Sequence, residues 1–224
     1  MDISERSATT GTRRQSILDA ALPLSLTKGF TETTMEDIRQ QSGASTGSIY
    51  HHFENKEMLA RALYLEGRTA LYNVFFTALA TSDPREGITG LVYAYLQWFE
   101  QNPDLGQYVM QAGDTEYLGA YIKVLRQKTK TVLPEENFPT QFSQWLAPFV
   151  EAGVIKRLPQ QLYFPLAIGP SRDFTRRWLR ERITSEMQEA REPLAEAAWI
   201  SLCQTAPESS SLSLCHFSDN LDLT

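Results

Sequence analysis

The chain has 224 residues, of which 42% are hydrophobic and 21% charged, with a formal net charge of −6. This length permits one large domain or two small ones, with enough apolar residues for a sizeable core. No apolar run approaches the roughly 20 residues of a membrane span, and the polar N-terminal stretch predicts no signal segment.

The cysteine pattern argues against a disulfide framework. Cys203 and Cys215 are the only two cysteines, and the chain holds three histidines. Two cysteines without metal-ligand spacing are typical of a protein in a reducing cytoplasm. We therefore expect a cytoplasmic protein with no membrane partner, no metal site and no cofactor.

The first helix is predicted from an apolar stripe. Residues 1–10 are polar and are expected to be flexible. The helix should start near residues 10–12 and run to Lys28, because apolar side chains recur with helical period at Ile17, Leu18, Ala21 and Leu24. Pro23 lies inside it, where it should remove a hydrogen bond and kink the axis.

Residues 33–57, TTMEDIRQQSGASTGSIYHHFENKE, predict two short helices across a tight turn, followed by the start of a third. Thr34 and Asp37 have the spacing of a capping box at a helix start. Gly43 can supply the left-handed residue that ends this helix, and Ser45 is a good cap for the next. Two short helices joined in this way form a helix-turn-helix, a unit that places its second helix in the DNA major groove.

The second short helix has an inner and an outer face. Ile49 and Phe53 are four residues apart and are predicted to point inward. The remaining face is short, polar and glycine-containing, which suits close approach to a phosphate backbone and to base edges. We predict base-edge contacts from Thr46, Gly47 and His51. We predict phosphate contacts from Thr34, Ser48, Tyr50, His52 and Lys56.

Lys56 stands at the start of a further helix. Asn55 caps that helix, and Lys56 lies in its first turn, where a cation opposes the helix dipole. A phosphate contact therefore explains Lys56 better than a stabilising role. The adjacent His51 and His52 could suggest a metal site or a general base. Neighbouring residues on a helix diverge by about 100°, however, and no carboxylate pair or nucleophile accompanies them.

The same residues carry a family resemblance. The segment GASTGSIYHHFENKEML, residues 43–59, resembles the recognition-helix signature of TetR/AcrR-type transcriptional regulators. The preceding RRQSILDAALPLSLTKGFTETTMEDI, residues 13–38, resembles that family's first helix and its Lys-Gly-aromatic turn. The resemblance covers roughly residues 12–60 without a gap.

Three residues depart from the family pattern. Pro23 lies inside the first helix, and Ser25 stands where the family usually has a large aromatic residue, with Leu26 expected to rotate inward in compensation. Arg39 replaces a small alanine and could reach a phosphate. These departures are either tolerated variation or a small shift in how the three head helices pack.

Charge limits the kind of DNA binding that is possible. Residues 1–60 hold six Lys/Arg and eight Asp/Glu, a balance of −2. Non-specific attraction to DNA should therefore be weak, and binding must depend on a small local footprint that dimerisation doubles. Arg13 and Arg14, at the start of the first helix, could touch phosphates or could be solvated.

The rest of the chain predicts further helices. A long fourth helix should run from Lys56 to about Ala80, with Gly67 as a flexible point or a packing contact. Later helices are predicted over 84–101, 103–112, 114–130 and 140–152. The segment from Pro159 should break at Gly169-Pro170, with Ser171 capping the next helix, and a last helix should cover 185–203.

No stretch shows strand alternation of useful length, so the predicted fold class is all-α. Residues 11–57 form a three-helix helix-turn-helix head. The long fourth helix joins this head to a helical ligand-binding and dimerisation body, residues 58–205. Residues 206–224 are serine-rich and aperiodic and are predicted to be a disordered tail.

The body is rich in aromatic residues, which could line an apolar pocket or simply fill the core. The family resemblance implies a pocket for a small molecule, and we predict that it is lined by Arg68, Tyr72, Tyr121 and Trp145. The resemblance also implies a homodimer built from residues 160–203. Its apolar surface could come from Phe174, Trp178 and Trp199. Five arginines between residues 172 and 182 suggest a solvated or inter-subunit face, or a second nucleic-acid patch.

Together these features predict a DNA-binding transcriptional regulator. The first interpretation is a repressor that binds a near-palindromic operator as a homodimer and is released by a small-molecule effector. An activator or a co-regulator of the same fold is the alternative, because operator position decides the sign of regulation. An all-α enzyme is a third possibility, but the chain has no glycine-rich phosphate loop, no His-Glu-x-x-His and no nucleophile elbow.

Overall fold

The computed structural model describes residues 3–112, 118 and 138–204, and its architecture confirms the all-α prediction. The helices of these residues, numbered in chain order, are α1 (Ile3–Thr27), α2 (Met35–Ser42), α3 (Thr46–His52), α4 (Lys56–Ala78), α5 (Pro84–Gln101), α6 (Pro103–Ala112), α7 (Phe138–Glu151), α8 (Gln160–Glu181) and α9 (Thr184–Leu202). Within the described ranges, β pairing is limited to one antiparallel bridge between Ile155 and Cys203. The helix predicted over 114–130 and the predicted tail lie outside these ranges.

The first helix starts earlier than predicted. α1 begins at Ile3, although residues 1–10 were expected to be flexible, and it continues through Pro23. Extending an existing helix needs no new nucleation, so polar residues can follow its path. Pro23 is exposed, as is Asp19, whose carbonyl loses its helical partner at the proline. Water can satisfy that carbonyl, which explains why the helix tolerates the proline.

Two apolar cores divide the molecule. The first joins α1, α2, α3 and the first half of α4, and Leu26 packs against it, as expected for its compensation of Ser25. Tyr108 of α6 also reaches this core, and its hydroxyl donates to the Ala60 carbonyl at 3.1 Å. The buried members from the four N-terminal helices and the turn include Ile17, Leu18, Ala21, Ile38, Ala44, Ile49, Phe53, Leu59, Ala60, Leu63 and Tyr64. The predicted boundary after residue 57 thus falls inside this core.

The second core fills the body. It joins the second half of α4 to the helices of the C-terminal part, and Leu71, Tyr72 and Phe75 are the members that α4 contributes. α4 has 23 residues, so it is about 35 Å long. The prediction that this helix crosses from the head into the body is confirmed, because its two halves lie in different cores.

Gly67, at the middle of α4, is a packing contact. A Cβ built at Gly67 would lie 2.5 Å from Cγ2 of Val109 and 3.0 Å from Cγ of Leu105. Carbon atoms at optimal separation are about 3.5–4.0 Å apart. The side chains of α6 therefore rest directly on the main chain of α4, which agrees with the packing interpretation of this glycine.

The predicted break at Gly169-Pro170 was wrong. α8 runs without interruption from Gln160 to Glu181, and Ser171 is buried within it instead of capping a new helix. Pro170 removes the donor that would bond the Leu166 carbonyl. The hydroxyl of Ser201, on α9, lies 3.3 Å from that carbonyl and 2.8 Å from the Ala198 carbonyl of its own helix. Its single proton is therefore shared, and the neighbouring helix compensates the lost bond only in part.

None of the described helices combines the length and the apolar character that crossing a membrane requires.

Candidate nucleic-acid interface and ligand cavity

The start of α2 has the predicted capping box. The Thr34 hydroxyl oxygen accepts the Asp37 N–H at 3.0 Å, and Asp37 Oδ2 accepts from the Thr34 N–H and the Thr34 hydroxyl, both at 2.9 Å. The bond from the Thr34 main chain, followed by that from Lys28, lowers the pKa of Asp37 to about 2. The Thr34 hydroxyl therefore already donates within the head, and a phosphate contact would have to replace its bond to Asp37.

The turn between α2 and α3 follows the sequence prediction. Gly43 adopts the left-handed conformation with φ of 62°, and the Ser45 hydroxyl accepts the Ser48 N–H at 3.2 Å. The Arg39 guanidinium is paired with a carboxylate of its own helix. Its Nε and Nη2 donate to Glu36 at 2.7 and 2.6 Å, and this pairing lowers the pKa of Glu36 to about 2.

The outer face of α3 is polar and accessible. Thr46, Gly47, Tyr50 and His51 are exposed, and Ser48 and His52 are half-buried. Tyr50 is 53% exposed although it is a large aromatic residue. A Cβ at Gly47 would meet no atom within 4 Å, so the packing of the fold does not require glycine here. The face therefore combines an exposed aromatic ring, two small polar side chains and a point where the main chain itself is accessible.

A cluster of basic side chains lies at the C-terminal end of this face. The Arg14 guanidinium is 5.4 Å from the centroid of the Phe53 ring, which places α1 beside α3. Partial burial, followed by the charges of His51, Arg14 and Arg13, lowers the pKa of His52 below its ordinary value. From the sequence, Arg13 and Arg14 could either touch phosphates or be solvated. The angle at which α1 crosses α3 decides how close they come to α3, and the sequence does not give that angle.

Lys56 has a role that differs from its predicted phosphate contact. Its ammonium donates to the carbonyls of Phe30, Thr31 and Thr33, each at 2.9 Å. The same ammonium lies 4.6 Å from the centroid of the Phe30 ring. An ammonium has three donors, and all three are used within the head. Lys56 thus ties the start of α4 to the turn between α1 and α2.

The two histidines do not form a metal site in the described part of the chain. The His51 and His52 rings meet edge to face, with centroids 5.2 Å apart. Among the residues that the structure describes, no three His, Cys, Asp or Glu side chains lie close enough together to hold a metal ion.

A cavity of about 370 Å³ lies in the body, between α4, α5, α6, the start of α7 and α8. Arg68 and Tyr72, two of the four predicted lining residues, face it. The walls also include residues that sequence reasoning did not assign to a pocket, namely Tyr64, Tyr95, Phe164 and Arg172. Tyr64 could have been predicted from the sequence, because it lies four residues before Arg68 and residues so spaced share one helix face.

Of the other two predicted lining residues, Tyr121 lies outside the described residues. Trp145 lies away from the cavity, with its indole N–H donating to the Thr81 carbonyl at 3.3 Å. Its ring packs directly over Gly87, where a Cβ would come within 2.3 Å of the indole. Trp145 therefore does not line this cavity, and its ring instead fills the space above a glycine.

The residues predicted for a dimer surface are more buried than expected. Trp178 is 4% exposed and its indole N–H donates to the Ile183 carbonyl at 2.8 Å, so it belongs to the core of its own chain and was wrongly predicted as surface. Phe174 and Trp199 are half-buried against the same core. The large apolar side chains that α8 and α9 do expose are Leu162 and Ile200, at 41% and 53%.

Comparison with known families identifies the head. The family model for bacterial regulatory proteins of the tetR family matches residues 17–63, which are the residues of α1 to α4 that build the first core. The head of this chain therefore belongs to the TetR family. The match ends within α4 where the first core ends, which agrees with a head that includes the beginning of this helix.

Two TetR-family relatives resemble this chain in part. The chain is 32% identical over 89 residues to the HTH-type transcriptional repressor KstR2 of Mycolicibacterium smegmatis, covering 39% of this chain and 43% of the relative. It is 30% identical over 127 residues to the biofilm operon icaADBC HTH-type negative transcriptional regulator IcaR of Staphylococcus epidermidis, covering 55% and 66%. The similarity thus spans less than two thirds of each relative's length.

The structural resemblance extends over the body. A putative tetR family transcription regulator from Shewanella sp. PV-4 superposes with a TM-score of 0.67 and 19% identity, covering 85% of this chain and 98% of the other. At this identity the comparison shows a shared fold. The fold of a helical head and body is therefore shared with that structure over the part of the chain that superposes.

The role of Lys56 leads to a prediction about stability. Replacing Lys56 with Met should lower the free energy of unfolding by about 1–3 kcal/mol, because it leaves carbonyls in the α1–α2 turn without their donor. Urea unfolding followed by circular dichroism measures this loss.

Lys28→Met is the matched control. Lys28 forms an exposed pair with Asp37, and such pairs contribute little to stability, so this variant should unfold nearly as the parent does. If Lys56→Met unfolded like the parent and lost only DNA affinity, Lys56 would be a phosphate contact and the structural role would be wrong.

Proposed function

We propose that this chain is a DNA-binding transcriptional regulator, acting as a repressor at a near-palindromic operator. The observation that carries the proposal is the capped helix-turn-helix head, whose α3 exposes a polar face outside the first core. The relatives KstR2 and IcaR are named as a repressor and a negative regulator, which also favours a regulator over an enzyme. Such a protein would work in the compartment that holds the DNA.

The face of α3 supports a division of roles. We expect Thr46 and Gly47 to reach base edges of a major groove, since the N-terminal part of a recognition helix contacts bases. His51, exposed one turn further along the same helix, is proposed to contact a base edge as well. Ser48, Tyr50 and His52 are proposed to contact phosphates. Arg13 and Arg14 are better phosphate candidates than Thr34 and Lys56, whose donors are already used inside the head.

Gly47 offers the sharpest test of this proposal. Selection of bound duplexes from a random pool at near-physiological salt should recover a near-palindrome. Gly47→Ala should then weaken binding to the selected duplex by about 1–3 kcal/mol, the range for loss of a good base contact, because a methyl group would separate α3 from the DNA. Tyr50→Ala should also weaken binding, through loss of a phosphate contact.

Gly90→Ala is the control for Gly47→Ala. Gly90 also lies in a helix, and a Cβ there would come no nearer than 3.8 Å to its neighbours, an ordinary van der Waals distance. It belongs to α5 of the body, outside the head and outside α8 and α9. Both variants should fold, and only the change at Gly47 should affect DNA. A folded parent that enriches no sequence, or a Gly47→Ala variant with parental affinity, would contradict the proposed recognition face.

The pKa of His52 predicts how operator binding depends on pH. Because this pKa is lowered in the free protein, His52 is mainly neutral at pH 7. A nearby phosphate favours the charged form, so binding should take up a proton. Operator affinity should therefore rise as pH falls from about 7.5 to about 6, measured by fluorescence anisotropy.

His52→Gln should flatten this pH dependence, since glutamine keeps a hydrogen-bonding side chain that does not titrate. The stability of the free protein should change in the opposite direction, falling as the pH falls. A histidine with a lowered folded pKa binds its proton more readily in the unfolded chain, so acidification favours unfolding. An operator affinity that falls on acidification, in a range where the protein stays folded, would show that His52 does not approach a phosphate.

A homodimer belongs to the same proposal. Two copies related by a two-fold axis would place two α3 helices on one duplex, which is how a near-palindrome is read. We propose that α8 and α9 form the interface, and Leu162 and Ile200 are the exposed apolar side chains that these helices offer. Phe174 and Trp199, half-buried at the surface of the body core, would lie behind or beside this contact.

Ile200→Asp should convert a dimer to a monomer in sedimentation equilibrium, because it places a charge in an apolar contact. Met58→Asp is the control, since Met58 is 44% exposed in the head and lies outside α8 and α9. A dimer that survived Ile200→Asp unchanged would place the interface elsewhere.

An effector would act through α4. This helix contributes side chains to the cavity and to the core of the head, so a molecule bound in the body can change the position of the head. In a dimer this would alter the spacing of the two α3 helices and lower operator affinity by a population shift. An operator affinity that stays constant while the cavity is filled would contradict this coupling.

A further inference from the structure

We infer that the cavity binds an apolar molecule with one acidic group, and that the Arg68 guanidinium holds the anion. This inference rests on the proposed function in one respect only, in that the bound molecule is taken to be the effector. It is carried by the composition of the cavity walls and by the hydrogen bonds of Arg68.

The charges of the cavity have one sign. Among the described residues that line it, Arg68 and Arg172 carry charge and no aspartate or glutamate is present. The remaining wall residues are uncharged and mostly aliphatic or aromatic, with Leu71, Phe99 and Ile168 among them. Burial raises the pKa of the Tyr95 phenol, so this wall residue is neutral as well. Positive charge in a cavity that is otherwise uncharged and largely apolar fits an amphipathic anion.

The arginine at this site is held in place by α4 itself. Arg68 lies four residues after Tyr64 and four before Tyr72, so the three side chains share one helix face. Its Nη1 donates to the Tyr64 hydroxyl at 2.9 Å and its Nη2 to the Tyr72 hydroxyl at 2.7 Å. The guanidinium is also 4.9 Å from the centroid of the Tyr72 ring. These contacts orient the charge before any ligand arrives.

Those contacts leave the charge without a counter-ion in the described part of the chain. Both hydrogen-bond partners of Arg68 are neutral phenols, and no described carboxylate lies within ion-pair distance of it. A half-buried charge gains from a hydrogen-bonded anion, and a guanidinium binds a carboxylate through two parallel donors. The Tyr64 hydroxyl accepts from Arg68, so its own O–H can donate to the same anion.

Comparison with a second depression shows that this charge pattern is specific. A groove of about 670 Å³ along the head side of α4 is lined by Arg14, His52 and Arg61 together with Glu66. That groove therefore contains both signs of charge, and Glu66 already accepts a hydrogen bond from Gln15. The body cavity is smaller, but the described residues around it supply positive charge alone.

Two acid and neutral pairs of equal shape test the inference. The pairs are decanoate with decanol, and naphthylacetate with naphthylacetamide, titrated into the DNA-free protein by calorimetry. At least one acid should bind roughly tenfold or more tightly than its neutral counterpart, which corresponds to about 1.4 kcal/mol. If neither acid binds better than its neutral counterpart, the inference is overturned.

Substitutions locate the anion. Arg68→Met keeps much of the side-chain volume and should abolish the preference for the acid, whereas Arg68→Lys should retain part of it. Arg157→Met is the control, because Arg157 is exposed between α7 and α8 and does not line the cavity. If circular dichroism shows that Arg68→Met does not fold, Arg68→Lys replaces it as the test. The lysine ammonium would be held less firmly than the guanidinium, so this variant should bind the acid more weakly than the parent does. Acid binding that is unchanged in the folded variant would overturn the inference.

A DNA measurement separates this inference from the proposed function. The acid that binds should lower the affinity of the parent for its selected duplex and should leave that of Arg68→Met unaffected. Acid binding by a protein that selects no duplex would support the cavity chemistry and contradict the regulator. Operator binding by a protein that does not distinguish acid from neutral compounds would support the regulator and overturn the anion site.

Discussion

The structure depends on the continuity of α4 through two separate cores. Leu59 and Leu63 are buried with the helices of the head, whereas Leu71 and Phe75 are buried with those of the body. A helix that breaks between its anchors would let the two parts move independently. Because α4 does not break, the position of α3 is tied to the packing of the body. Head and body are thus joined through a continuous helix that is packed at both of its ends.

Charge explains why the proposed recognition surface is small. An acidic protein cannot rely on its overall field to hold a polyanion, so binding would depend on the few basic groups near α3. Arg13 and Arg14 lie at the start of α1, and Arg14 contacts Phe53 at the end of α3. Two acids of the head, Glu36 and Asp37, are paired with Arg39 and Lys28. Pairing reduces the repulsion that unpaired carboxylates would exert on DNA.

Features that depend on neighbours in the sequence were predictable. The capping box at Thr34, the left-handed Gly43 and the Ser45 cap each involve residues two or three positions apart, and all three are present. The inward direction of Ile49 and Phe53 followed from helix periodicity. The fold class followed from the same signals together with the family resemblance, because helical caps and stripes recur along most of the chain.

Features that depend on distant partners were not predictable. The ammonium of Lys56 bonds carbonyls more than 20 residues earlier in the chain. The carbonyl that Pro170 leaves without its helical donor, that of Leu166, lies within reach of a hydroxyl from α9. Trp145 and Trp178 look like surface or pocket residues in sequence, but each indole N–H has a carbonyl partner within its own chain. In each case the tertiary contact decides the role that the residue type leaves open.

The contact at Gly67 has a mechanical consequence. Val109 touches the space where a Gly67 side chain would be, and the same valine lines the cavity beside Arg68. A side chain between α4 and α6 could change rotamer and absorb a small displacement, but bare main chain cannot. A molecule that displaces Val109 would therefore press on the backbone of α4 itself. The glycine thus leaves no side chain of α4 to yield at this junction, which makes the contact between the two helices stiff.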